Sequence, residues 1–457
     1  MLLLSAGREC TDLFNSYHWS NPDKPRKFLS TYEIGTLTGP TEFPVFAPDT
    51  SGFYRTLSKR IKEHFDTTGK NPKSFIPGAW RLLLQISIGL TMYCISVGIL
   101  LPETTLMYKF LAAAIYGIFQ VMPLLHAMHD ASHTAIGSSE GFWKFFGRIT
   151  MDWYAGSSMI SWHHQHIVGH HVYTNVFMAD PDIPYRPNDD LRRIVPDQIM
   201  HSVYALQWIY LPFLYGFLAF KVRMTDIFDT WLKLTSGPIR VNFYDSVFIR
   251  IFLVKGLWAA WRIYYPLFVL KMDYKIFWFL FFVTELASGF WLAWNFEVSH
   301  LAPEADFPRI RNADGNYSTS TAAAEAAAKK FEAELKKQKA GVPIVTKETN
   351  TPSTTSGAVQ KVIPRSWAQV QVESSVDYGH DSWWTAWWCG ALNYQIEHHL
   401  FPGISQYHYP ALAPIVQQTC KEFNIRYNYE PSFWDAWTSH IKLLYDMGQK
   451  GQPYHWD

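Results

Sequence analysis

The chain has 457 residues and a net charge of +1; hydrophobic residues make up 48% and aromatic ones 17%, including 20 Trp. The near-neutral balance leaves no basic excess for nucleic acid, and the aromatic load points to a long water–lipid boundary, where amphipathic rings collect. The four cysteines (Cys10, Cys94, Cys389, Cys420) are scattered without a Cys-x-x-Cys pair, which argues against a disulfide framework or a cysteine zinc module and for chemistry on the reducing side of a membrane.

Leu2 to Leu4 form too short an apolar run for a signal peptide. A basic stretch follows, with Arg55, Lys59, Arg60, Lys62, Lys70 and Lys73. Four stretches have the length and apolarity of spanning helices: about 80–101, 107–125, 247–270 and 276–296. The third is interrupted by Arg250, Lys255 and Arg262, and the fourth contains Glu285. The link between the first two, Pro102 to Thr105, has no basic residue, so the positive-inside rule puts the N-terminus in the cytosol. Residues 202–220 read as interfacial, since Gln207 and Pro212 interrupt them, and so do Trp383, Trp384, Trp387 and Trp388. Residues 302–364 read as a solvated helix and flexible linker, from an Ala/Glu/Lys-rich run and a Thr/Ser/Pro tract.

Eight histidines stand out: His129 and His133; His166, His170 and His171; His300; His398 and His399. An even number of predicted crossings separates the early from the late ones, so all face the same side. Residues four apart share a helix face, so His129 with His133, and His166 with His170, can each serve one site. His171 is rotated by about 100° from His170, which lets one helix address two neighbouring ions. Ordinary hydrogen-bonded roles fit His126, His163 and His164. Imidazole suits zinc, copper, iron or nickel, and eight candidates point to two ions. Asp130, Asp180, Asp182 and Glu397 are candidates for orienting the rings. The predicted fold is an all-α integral membrane protein: four transmembrane helices and a cytosolic helical cap holding a His-rich di-metal site.

The segments His-Asp-Ala-Ser-His (129–133), Gln-His-Ile-Val-Gly-His-His-Val-Tyr-Thr-Asn (165–175) and Gln-Ile-Glu-His-His-Leu-Phe-Pro (395–402) resemble the three histidine boxes of membrane fatty acid desaturases. Gln395 at the head of the third box is the mark of the front-end subgroup. The resemblance implies that His129, His133, His166, His170, His171, His300, His398 and His399 hold two iron ions (Fe2+), with Gln395 and Asp130 as further candidates at the site. It implies a polyunsaturated acyl lipid or acyl-CoA substrate, O2, and electrons from cytochrome b5 and its NADH-dependent reductase, in the endoplasmic reticulum membrane with the active site facing the cytosol. Stretches such as Ala179 to Asp182 and Val370 to Glu373 look most like fungal and algal Δ5 desaturases. Δ4, Δ6 and sphingolipid desaturases, hydroxylation on the same scaffold, and a non-catalytic membrane metal-binding protein or inactive fragment are the alternatives.

Residues 1–38 resemble only the C-terminal half of a cytochrome b5 domain, and 39–79 read as a cytosolic linker before a desaturase domain at 80–457. His18 resembles that domain's second haem ligand, but the His-Pro-Gly-Gly motif of its partner is nowhere in the chain. Haem is therefore not expected here.

Overall fold

The computed structural model describes residues 2–137, 139–186, 190–229, 234–241, 247–312 and 360–449. Helices dominate. In chain order, the ones that position the site are α1 (Thr11–Tyr17), α2 (Phe53–Thr68), α3 (Ile76–Ser96), α4 (Leu106–Pro123), α5 (His129–Ser132), α6 (Leu218–Ile227), α7 (Val247–Ala259), α8 (Tyr274–Glu297), α9 (Trp367–Glu373), α10 (Gln395–Leu400), α11 (Tyr409–Glu422) and α12 (Phe433–Gly448).

Four helical stretches among the described residues are long and apolar enough to cross a membrane: Ile76–Ser96, Leu106–Ser132, Ser202–Ile227 and Tyr274–Glu297. Three overlap the sequence expectation. The other is the stretch expected to be interfacial: Pro212 sits inside a helix there without ending it. The expected third span, 247–270, is helical through Val269, but its three basic residues dilute its apolarity. Because the histidines before and after these segments meet, the number of crossings between His171 and His300 is even. With α8 crossing once, one of the two segments crosses and the other does not.

Close backbone approach joins the apolar helices. A Cβ on Gly117 of α4 would lie 2.4 Å from the carbonyl oxygen of Thr284 in α8, and one on Gly289 would lie 2.0 Å from that of Gly216. Small residues at such crossings let helices pack where lipid offers no hydrophobic drive. Polar links run along the α4–α8 seam: Ser288 Oγ donates to the Gly117 carbonyl at 2.7 Å, and Gln120 Nε2 to Ser288 Oγ at 3.1 Å. Glu285, fully buried in α8, pairs with Arg223 of α6 and with Arg262 at 3.4 Å. The ring of Tyr116 lies 4.7 Å beneath the Arg262 guanidinium, a cation–π contact that eases the second buried positive charge.

The cap packs beside this bundle. In α2, Phe53, Leu57, Ile61 and Phe65 fall four apart, form one apolar stripe, and bury it against Leu412, Val416 and Cys420 of α11. A small sheet, β1 (Val45–Phe46), β2 (Arg311–Asn312) and β3 (Lys361–Ile363), has β3 in the middle, parallel to β1 and antiparallel to β2. It ties together both ends of the stretch expected to be an insertion; residues 313–359 of that stretch lie outside the described residues.

Candidate metal centre

Two of the three histidine clusters are set by π-helical turns, the first following one and the second lying largely within one. In the first, Pro123 lacks an amide, and the Phe119 carbonyl receives Tyr154 Oη at 3.4 Å instead. The chain continues as a π-helix over Leu124–Met128, and the His129 amide reaches back five residues to Leu124. In the second, the π-helix is His163–His170, and the His171 amide reaches the His166 carbonyl. Such bulges re-aim side chains and recur at functional sites.

The second bulge changes the expected pairing. In a π-helix, residues five apart come together. His166 Nε2 lies 3.2 Å from His171 Nε2, whereas the rings of His166 and His170 are 5.6 Å apart. His170 turns to His300, with their Nε2 atoms 3.3 Å apart. Seven of the eight imidazoles form two groups whose ligand atoms lie within 4.8 Å of one another: His129, His133, His166 and His398, then His170, His300 and His399. His171 sits between them and also groups with His398 and His399. His129 with His133 follows the sequence expectation; His166 with His170 does not, except in a further grouping with Asp182.

Five of the outward nitrogens are held by the protein, whereas His171 Nδ1 is buried without a hydrogen-bond partner. His170 Nδ1 lies 3.1 Å from Asp180, His399 Nδ1 2.7 Å from Gln371 Oε1, and His300 Nδ1 3.2 Å from the Ser374 carbonyl. His398 Nδ1 lies 3.2 Å from Tyr409 Oη, which donates onward to the Ile404 carbonyl and so accepts from the ring. His133 Nδ1 lies 2.9 Å from Tyr17 Oη. A proton kept on Nδ1 leaves the Nε2 lone pair for an ion. His133 Nε2 and His398 Nε2 are buried without a hydrogen-bond partner. Two nitrogens sharing one ion at about 2.1 Å would lie about 3.0–3.4 Å apart, and the spacings here of 3.0, 3.2 and 3.3 Å fit that.

Charge follows the same logic. Burial, with neighbouring imidazoles, holds His133, His166, His171, His300, His398 and His399 well below the usual imidazole range, so they present neutral rings. Burial also opposes a charge on His170, but Asp180 and Asp182 outweigh it and lift the ring to about 9.

The other candidates separate. Gln395 Nε2 lies 2.8 Å from His300 Nε2 and 3.2 Å from His399 Nε2, at the mouth of the second group. Asp130, expected at the site, instead accepts from Ser405 Oγ at 2.9 Å and Gln406 Nε2 at 3.1 Å, fixing the loop after the third box. Glu397 turns to Tyr427 Oη at 3.0 Å. His164 Nδ1 lies 2.9 Å from the Ile160 carbonyl, and His18 Nδ1 2.8 Å from the Phe14 carbonyl. Among the described residues neither these nor His126 and His163 join a ligand group.

Sequence reasoning passed over Tyr17, Gln371, Tyr409 and Asn175. Asn175 adopts a left-handed backbone (φ 57°), which Asn tolerates, and its Nδ2 reaches the carbonyls of His300, Asp306 and Ser374 at 2.9, 3.1 and 3.2 Å. It thereby binds the second box to the His300 segment. The only signal was its place in the quoted motif.

An open cleft ends on this cluster. His166, His170, His300 and Gln395 line its inner end, Met151, Trp162, Leu218, Val222, Phe296 and Leu392 form an apolar wall, and charged residues including Asp182, Arg192, Lys221, Asp229 and Glu297 line the rest. Residues 105–431 match the fatty acid desaturase family. The chain belongs to that family. The desaturase is 34% identical to Delta(5) fatty acid desaturase A of Dictyostelium discoideum, over 98% of this chain and 85% of that protein. It is 33% identical to acyl-lipid (8-3)-desaturase B of the same organism, covering 98% and 86%, and 32% identical to acyl-lipid (8-3)-desaturase of Mortierella alpina, covering 98% and 88%. It is thus an oxidoreductase acting on fatty acyl chains.

Proposed function

We propose that the desaturase inserts a cis double bond at Δ5 of a C20 polyunsaturated acyl chain, with two iron ions held by the eight imidazoles. The observation that supports this reading is a cleft with one apolar wall that ends on residues of both imidazole groups. A metal pair there would supply the activation of dioxygen that removal of unactivated hydrogens demands. The overall change converts –CH2–CH2–, O2, two electrons and two protons into –CH=CH– and two waters. Cytochrome b5 and its reductase would supply the electrons.

This chain's own residues do the rest. Trp162, Leu218, Val222 and Phe296 line the cleft and favour an alkyl chain over water. Asp180, Gln371, Tyr409 and the Ser374 carbonyl orient the imidazoles. Gln395, in the wall between His300 and His399, bears on where the chain stops relative to the ions. The name of the Dictyostelium relative supports Δ5, while matches at lower identity carry other regiochemistries. The basic stretch before α3 and the lack of a basic residue in the Pro102–Thr105 link support a cytosolic site, and the endoplasmic reticulum membrane is part of the proposal.

The test is expression in yeast fed a C20 triene acid, with mass-spectrometric location of any new double bond. A bond at carbon five is expected. A bond elsewhere overturns the Δ5 reading, and no product from well-expressed, iron-loaded protein supplied with reduced cytochrome b5 overturns the C20 substrate.

A further inference from the structure

His133 takes its orienting contact from far outside the stretch that carries the histidines. Tyr17, at the end of α1, places its phenol oxygen 2.9 Å from His133 Nδ1, with the two rings 20° from parallel. The opposite nitrogen, Nε2, is buried and has no hydrogen-bond partner. It belongs to the group with His129, His166 and His398.

The segment around Tyr17 is built onto the second and third boxes. Leu13 is 5% exposed and packs in one cluster with Ile167, Val172 and Val176, on either side of His170 and His171. Leu4 packs with Val168. On the other flank, the ring of Trp19 meets Phe401 edge-on at 5.7 Å, two residues past His399. These contacts leave the phenol little freedom to point elsewhere. Tyr409 shows the same arrangement at His398 with its polarity fixed, since its hydroxyl donates to a carbonyl and its oxygen faces Nδ1.

Resting on the metal reading above, we propose that Tyr17 is a positioning residue of the metal centre. Its oxygen accepts from His133 Nδ1–H, fixes the tautomer with the lone pair on Nε2, and makes the N-terminal segment a working part of the site. The phenol itself does not ligate or react.

The test uses the full chain purified in detergent, loaded with Fe2+ or with Co2+ as a spectroscopic probe. Tyr17→Phe keeps the ring and removes only the hydroxyl. The readouts are ions per chain, the rate of extraction by a chelator, and the Co2+ absorption bands. Loss of an orienting partner lowers metal affinity by about 10–100-fold, so one of two ions should leave faster by about that factor while the other is unchanged. Tyr204→Phe, which removes a hydroxyl bonded to the Asp190 carbonyl, should change neither. Added to His133→Ala, Tyr17→Phe should have no further effect on extraction. Wild type holding two ions with Tyr17→Phe indistinguishable from it overturns the proposal alone. Equal loss of both ions with a lowered thermal transition also overturns it, in favour of a folding role. Wild type that takes up no ion overturns the metal reading and this proposal together.

Discussion

Replacing Asp180 by Asn tests how the second imidazole group is held. Asp180 is fully buried and accepts on both oxygens: from His170 Nδ1 at 3.2 and 3.1 Å, from the Asp182 amide at 2.8 Å on one side and from the Asn175 amide at 2.8 Å on the other. Asn has one accepting oxygen. Whichever way the amide turns, its NH2 faces a backbone N–H, leaving a buried donor unsatisfied at about 1–3 kcal/mol. His170 also loses the carboxylate that supports its Nδ1–H. Loss of such a partner lowers metal affinity by about 10–100-fold, or about 1.4–2.8 kcal/mol. Chelator competition on purified Asp180→Asn should show one weakened ion and one unchanged, with product formation falling in step. Affinity equal to wild type for both ions would refute the claim that Asp180 orients a ligand.

Other perturbations follow from the packing. Gly169→Ala would put a Cβ 2.6 Å from Pro181 Cγ and 2.9 Å from Ile239 Cγ1, beside the second box. Overpacking of this kind costs about 1–3 kcal/mol, so thermal stability and metal retention should fall together; unchanged retention would mean that the bulge relaxes without moving His170. Glu285→Gln leaves Arg223 and Arg262 buried without their anion, and breaking such a network costs about 3–5 kcal/mol. Its thermal transition in detergent should drop well below wild type, and no drop would show that the rings around Arg262 suffice. Leu218→Trp fills the cleft wall and should cut turnover of a long acyl chain on the order of 10-fold or more while both ions stay bound; undiminished turnover would move the acyl path elsewhere.

The histidines, their clustering and the membrane character were legible because they depend on residue type and local apolarity. The approach of His166 to His171 is not legible, because spacing arguments assume an α-helix, and nothing in Gln-His-Ile-Val-Gly-His-His announces the switch to i→i+5 bonding. Residues 202–220 read as interfacial on account of Gln207 and Pro212; the helix runs through Pro212 all the same, which residue type alone does not announce. Asp130 lay next to a ligand in sequence but on the other face of its helix, toward Ser405. The orienting partners Tyr17, Gln371 and Tyr409 were out of reach because each comes from a segment distant in sequence from its imidazole, or from a side chain whose direction only the fold sets.

The central claim is that these eight imidazoles hold two ions at the end of an acyl cleft. The most direct measurement is metal content per chain in anaerobically Fe2+-loaded protein, for wild type, His133→Ala and His399→Ala. The account predicts two irons in wild type and one weakened ion in each variant, drawn from different groups. Wild type with no tightly held iron, or variants that keep both ions as tightly, would contradict it.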